Sequence, residues 1–198
     1  QQHKQTKKKH QNKKHQIQHI SPDTNFTQRG YNEHAKIPYY ITSAILRHLL
    51  EIDVQPEKII LTIQSEVAER ILNRNEKMSL LSLSVQIYGE AQIAAHIPAA
   101  CFYPAPKVDS SILSIDIYDV PKLSKAEVSW LFRIAHAAFN QKRKMLRNSL
   151  KPLYGENQDA LLKVLNKAGI DPRRRPETLS LEEWIELTQA AMSIHAGG

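Results

Sequence analysis

Residues 100–110 read Ala100-Cys101-Phe102-Tyr103-Pro104-Ala105-Pro106-Lys107-Val108-Asp109-Ser110. Each proline lacks the amide that a central strand must donate, so this stretch is a connection rather than a strand. It joins Ala91–Ile97 to Ser110–Ile117, two short runs that read as strands. Working upstream, Lys58 to Ile63 (KIILTI) is short, apolar and β-branched, which predicts a buried strand. Ser65 to Asn73 carries Val67, Ala68, Ile71 and Leu72 at helical spacing, and Ile41 to Leu50 gathers Ile41, Ile45, Leu46, Leu49 and Leu50 on one side. Leu80 to Tyr88 reads equally well as helix or strand.

Downstream of Pro121 the periodicity is helical throughout. Ser124 with Glu127, and Ser180 with Glu183, both have capping-box spacing. They predict helices from Ser124 to about Asn140 and from Ser180 to Met192. Two more are expected at Lys142–Leu150 and at Gln158–Ala168, the latter ended by Gly169. The coarse architecture is an α/β segment followed by a small helical domain, with the boundary near residues 119–124.

The chain has 198 residues, 41% hydrophobic and 24% charged, enough for one core with a small second one behind it. No apolar run approaches the roughly 20 residues of a membrane helix, and the polar N-terminus lacks the apolar region of a signal peptide. The expected location is the cytoplasm, or an organelle after import. Cys101 is the single cysteine, which excludes an internal disulfide; in its apolar surroundings a packed thiol is expected rather than a nucleophile. Residues 1–20 use almost only Gln, Lys and His and predict a disordered tail. His3, His10, His15 and His19 fall at no fixed ligand spacing, so no metal is expected.

The net charge is +7. Residues 1–35 hold seven Lys and Arg against two Asp and Glu, so most of the excess belongs to the tail. Within the body, clustering matters more than the sum. Lys142, Arg143, Lys144, Arg147 and Lys151 have no acid among them, and Arg173, Arg174 and Arg175 form a second knot. As a helix turning about 100° per residue, 142–150 would set Arg143, Lys144, Arg147 and Lys151 on one side, with Phe139, Leu146 and Leu150 adjoining. Such a cationic face fits contact with nucleic-acid phosphates.

The 100–110 stretch resembles the FxPxPKVDS signature of the rRNA adenine N6-dimethyltransferase family (KsgA/RsmA type). Ile37-Pro38-Tyr39-Tyr40 with the following ITSAIL is similar to that family's Asn-Leu/Ile-Pro-Tyr motif and ITxPIL helix, with Ala44 in place of its proline. TIQSEVAERI, AFNQKRKMLRNSL and RRRPETLSLEEWIEL resemble further family segments, in the family's order. The likeness runs from Ile37 to about Ala190. It implies an incomplete Rossmann-like methyltransferase domain (residues 36–121), an all-helical rRNA-binding domain (122–198), and a disordered basic segment before both (1–35). It also implies S-adenosylmethionine as methyl donor, dimethylation of adjacent adenosines in small-subunit rRNA during ribosome biogenesis, and a monomer acting on the immature small subunit. It implies neither a membrane nor a metal.

The chemistry explains the motif. Adenine N6 is a weak nucleophile because its lone pair is delocalised into the ring, so the enzyme must favour a pyramidal nitrogen by holding both amine protons. The resemblance assigns that work to an Asn side-chain oxygen and a neighbouring carbonyl, here from Ile37 or Pro38. Tyr39 and Phe102 would stack on the two faces of the unpaired adenine, at about 1–3 kcal/mol per base. Lys36, however, stands at the Asn position, and an ammonium has donors and no acceptor. It would also set positive charge beside a cationic sulfonium. Either position 36 impairs the pocket, or the likeness begins only at Ile37.

Upstream features favour the second option. Tyr31-Asn32-Glu33-His34-Ala35 is not the apolar strand the family would have there, and Gly30 is the only glycine before residue 89, so the glycine-rich turn for the methionine part of the donor has no counterpart. The expectation is that residues 1–36 derive from a frameshift, a gene-model error or a divergent fusion. Two rival functions follow: a non-catalytic RNA- or ribosome-binding remnant, and a methyltransferase-derived transcription factor.

Overall fold

The computed structural model describes residues 32–36, 42–52, 54–72, 77–141, 143–155 and 157–196. Four strands, β1 (Asn32–Lys36), β2 (Lys58–Gln64), β3 (Gly89–Ile97) and β4 (Ser110–Ile117), form one sheet in the order β1-β2-β4-β3. β1 runs parallel to β2, whereas β4 is antiparallel to both β2 and β3. Three helices accompany the sheet: α1 (Thr42–Glu51), α2 (Ser65–Ile71) and α3 (Leu80–Gln86). The expected mixed α/β unit with a helical C-terminal part is therefore what the chain forms.

Alternation along β2 turns Ile59, Leu61 and Ile63 fully inward, against Leu46 and Leu50 of α1 and Ala68 and Ile71 of α2. Ile60 and Thr62 on the opposite face are half-covered, so the strand is less enclosed than its continuous apolar run suggests. Leu113 and Ile115 of β4 complete this core. Leu80 to Tyr88 takes the helical alternative. Ser79 caps it by accepting the Ser82 amide at 3.0 Å, and the Ser82 hydroxyl donates to the Ile71 carbonyl at 2.9 Å. Gly89 then opens β3 where a Cβ would stand 2.5 Å from the Asp116 carbonyl oxygen, so only glycine lets the two strands close there.

The helical part comprises α4 (Lys125–Asn140), α5 (Leu146–Ser149), α6 (Lys151–Tyr154), α7 (Gln158–Lys167) and α8 (Leu181–Ala196). Both capping boxes form. The Glu127 carboxylate accepts the Ser124 amide at 2.8 Å, and the Glu183 carboxylate accepts the Ser180 amide at the same distance. Gly169, at φ +68°, ends α7: its amide donates to Asn166, and the Ile170 amide reaches back to Leu165. That pair of bonds satisfies the last carbonyls of the helix. Trp184, Leu131, Ala135 and Leu165 are fully buried at the centre of this second core, which also takes in Met78, Leu83 and Ile87 from around α3.

Three expectations need correction. Asn32–Lys36 forms a strand, although its composition places it in a disordered segment spanning 1–35. Its five residues pair in parallel register with Lys58–Thr62, and those ladder bonds use backbone groups, so a polar sequence suffices at the sheet's edge. Residues 1–31 lie outside the described ones. Cys101 is exposed rather than packed, because it ends a short 3-10 turn (Ala99–Cys101) leading off β3 at the rim of the sheet.

The third concerns 142–150, which is not a single helix. Gln141 leaves helical geometry at φ −123° and ψ 43°, the Lys144 amide closes a turn onto Gln141, and Met145 is extended. The Leu146 and Arg147 amides, which a continuous helix would direct to residues 142 and 143, donate instead to the carbonyls of Arg174 and Pro172. A helix here would also have set like charges four residues apart at Arg143, Arg147 and Lys151, which is unfavourable.

Candidate nucleic-acid interface

Strand directions bring the end of β1 and both ends of the 100–110 stretch to one edge of the sheet. β1 and β2 end there at Lys36 and Gln64; β4 begins there at Ser110, which pairs with both Gln64 and Ile97. Lys36 pairs with Thr62 and ends β1 at this edge; Ile37, Pro38 and Tyr39, next in sequence, lie outside the described residues. The 3-10 turn that follows β3 carries half-buried Phe102 at its end, with the Phe102 amide donating to the Ala99 carbonyl. This is the carboxyl edge of the parallel pair, where α/β sheets bind their ligands.

Asp109 organises the rim. Its carboxylate accepts the Ala99 amide at 2.8 Å, pinning the turn before Phe102, while its carbonyl accepts the Ser65 amide at the start of α2, at 3.1 Å. Beside it, buried Ser111 links Ser65 (2.8 Å between hydroxyls) to the His96 ring (3.0 Å to Nδ1). The sequence pattern singles out none of these partners. Asp109 and Ser110 stand inside the 100–110 stretch, but nothing in their spacing shows that Asp109 ties β3, β4 and α2 together.

The basic residues form a second region. Arg143, Lys144, Arg147 and Lys151 are exposed, on the turn after α4 and on α5 and α6. Lys142 lies outside the described residues. Because the Leu146 and Arg147 amides bond to the 172–174 loop, the two basic knots adjoin each other. The second knot is not uniform. Arg173 is exposed and pairs with Asp171 at 3.1 Å, holding that carboxyl below its usual range. Arg174 is half-buried and grips both oxygens of Glu183 while also reaching the Thr178 carbonyl, so it fastens the loop to α8. Arg175 is exposed.

A larger cleft of about 590 Å³ lies between the end of α1 and the start of α4, among Leu50, Tyr88, Leu123, Val128 and Phe132. Burial, with Glu51 nearby, pushes the Tyr88 phenol up to about 12. None of the described residues predicted from the motifs lines this cleft. Among the described residues, no helix is long and apolar enough to cross a membrane, and no three His, Cys, Asp or Glu side chains gather as a metal site would require.

Comparisons with known proteins agree with the motifs. The family model described as ribosomal RNA adenine dimethylase matches residues 5–187, so the likeness extends upstream of Ile37, where it was expected to start. Ribosomal RNA small subunit methyltransferase A of Dehalococcoides mccartyi strain CBDB1 is 43% identical over 153 residues, 77% of this chain and 53% of that protein. The protein of the same name from Shouchella clausii strain KSM-K16 is 40% identical over 163 residues, 80% of this chain and 55% of its own length. The chain thus spans about half the length of the curated relatives it matches.

Among solved structures, a dimethyladenosine transferase from Plasmodium falciparum superposes with a TM-score of 0.72 at 20% identity, covering 82% of this chain and 68% of that one. The 23S rRNA methyltransferase ErmE gives 0.65 at 23%, covering 83% and 66%. These two likenesses speak to the fold. With the sheet edge, the motif order and a family match over nearly the whole chain together, the protein belongs to the ribosomal RNA adenine dimethylase family.

Proposed function

We propose that this chain carries the adenine-holding edge and the RNA-binding domain of an S-adenosylmethionine-dependent rRNA adenine N6-dimethyltransferase. Its target is a pair of adjacent adenosines in small-subunit rRNA, and it works as a cytoplasmic monomer on the immature subunit. The observation that carries the reading is the convergence of the Lys36 end of β1 and the Phe102 turn on one sheet edge. On this reading Ile37 or Pro38 offers a carbonyl to the adenine amine, and Tyr39 and Phe102 hold the ring. Arg143, Lys144, Arg147, Lys151, Arg173 and Arg175, together with Lys142, meet phosphates.

S-adenosylmethionine is the donor that the family implies. The described residues do not by themselves make a site for it. Their positive-φ glycines, Gly155 and Gly169, lie in the helical part far along the chain from the sheet edge, and position 36 offers a lysine where the family has an amide. No chemical step is therefore derived through the donor.

The test is methyl transfer. The purified chain is incubated with S-adenosylmethionine labelled in its methyl group and with undermethylated small ribosomal subunits, and the rRNA is digested to nucleosides. Labelled N6,N6-dimethyladenosine is expected. Subunit binding without any label would remove the enzymatic reading and leave the RNA-binding one.

A further inference from the structure

Between α5, α6 and the first turns of α7 lies a pocket of about 260 Å³, lined by Arg147, Asn148, Lys151, Gln158, Leu161 and Leu162. It has three chemical parts. Leu161 is almost fully buried, so Leu162, 40% exposed, carries most of the apolar wall that is open to solvent. Asn148 and Gln158 each bring an amide with both donor and acceptor, and among the described residues no hydrogen bond occupies either side chain. Arg147 and Lys151 bring two cations, and no acidic residue shares the lining. The volume is below the roughly 300–1,000 Å³ typical of pockets for drug-sized molecules.

We infer that this pocket takes one unpaired nucleotide of the bound RNA, distinct from the adenosine at the sheet edge. The inference rests on the proposed RNA-binding role of the helical domain and deepens it. Duplex RNA is held by shape and phosphate contact, whereas unpaired bases splay out to be stacked and read along their edges. Each part of the pocket matches one part of a nucleotide. Leu162, backed by Leu161, covers a base face, the Asn148 and Gln158 amides meet the base edge, and Arg147 and Lys151 meet the flanking phosphates. The Arg147 amide is bonded to the Pro172 carbonyl, so the loop bearing Arg173 and Arg175 adjoins the helix that brings Arg147 and Asn148 to the pocket.

The experiment uses two hairpin RNAs of identical stem, one fully paired and one with a single unpaired nucleotide, titrated against the full chain by fluorescence anisotropy. Tighter binding of the second hairpin by about tenfold is expected, the order that one apolar contact and one hydrogen bond supply together. Asn148→Ala with Gln158→Ala, and separately Leu162→Ala, should abolish that preference and leave affinity for the paired hairpin unchanged. Equal binding of the two hairpins by the unaltered chain, or a preference that survives in both variants, overturns the inference. Arg143→Gln with Arg175→Gln lies outside the pocket and should weaken both hairpins equally. If those changes leave both affinities unaltered, the phosphate-binding reading itself fails, independently of the pocket.

Discussion

The Arg147 amide donates to the Pro172 carbonyl at 3.0 Å, and this bond with its neighbour from Leu146 to Arg174 docks the 172–175 loop against α5. Two basic clusters far apart in sequence thereby become one surface. Within it, Arg174 differs from the rest in being half-buried, its guanidinium fastened to Glu183 of α8.

That difference separates binding from stability. Arg143→Gln combined with Arg175→Gln should weaken rRNA binding and flatten its salt dependence, by about 0.7–0.9 in the log–log slope for each phosphate that is no longer neutralised. Titrations at several salt concentrations measure the slope. An unaltered slope would remove both arginines from the phosphate interface. The melting temperature should not move.

Glu183→Gln should have the opposite signature. The Arg174 guanidinium, with the Ser180 amide, holds the Glu183 carboxyl below its ordinary value. A depressed folded value contributes stability above the unfolded carboxylate value, and that contribution disappears as the pH falls through the folded one. The substitution should therefore destabilise the protein by about 1 kcal/mol near neutral pH. The gap from the unaltered chain should close once acid protonates the carboxylate in both states. Thermal melts across an acid series check this, and a gap that persists in acid would mean that the carboxylate's charge is not what fastens the loop.

How much of this was legible depended on what held each element. β2, β4, α4, α7 and α8 are held by side chains that sequence displays: Leu61 and Leu113 at strand period, Leu131 and Leu165 at helix period, Ser124 and Ser180 as caps. β1 is held by backbone pairing to β2, and NEHAK shows none of that. The stretch after Gln141 misleads because cations spaced four apart look like a helix face. The decisive partners of Leu146 and Arg147 are carbonyls in a loop whose position only the fold supplies. At the sheet edge, the motifs reveal Phe102 but not that Asp109 sets its turn.

Asp109→Ala tests that setting. It removes the acceptor of the Ala99 amide, at a cost of about 1 kcal/mol in stability. The larger consequence should fall on Phe102, since displacement of a positioning group by about 1 Å can cost on the order of a hundredfold in rate. The expected result is methyl transfer lowered at least about tenfold with rRNA affinity unchanged, measured side by side. Full activity in the variant would show that the turn before Phe102 holds its shape without Asp109.

Position 36 bears most directly on the chemistry. It ends β1 opposite Thr62, immediately before Ile37 and Pro38, and on the proposed reading it takes the place of the motif's asparagine. A lysine ammonium supplies three donors and no acceptor, so it cannot hold a proton of the adenine amine, whereas an amide oxygen can. Lys36→Asn should therefore raise the rate of dimethyladenosine formation by about tenfold or more, since single preorganised hydrogen-bonding groups at reacting centres are worth roughly 10²–10³ in rate. Affinity for the small subunit should stay constant, because the substitution acts on the reacting amine and lies away from the Arg143 and Arg175 surface. The comparison is single-turnover methyl transfer by the two chains on the same undermethylated subunits. An equal rate in both would show that the amine finds its acceptor elsewhere, leaving the carbonyls of Ile37 and Pro38 as the groups to alter next.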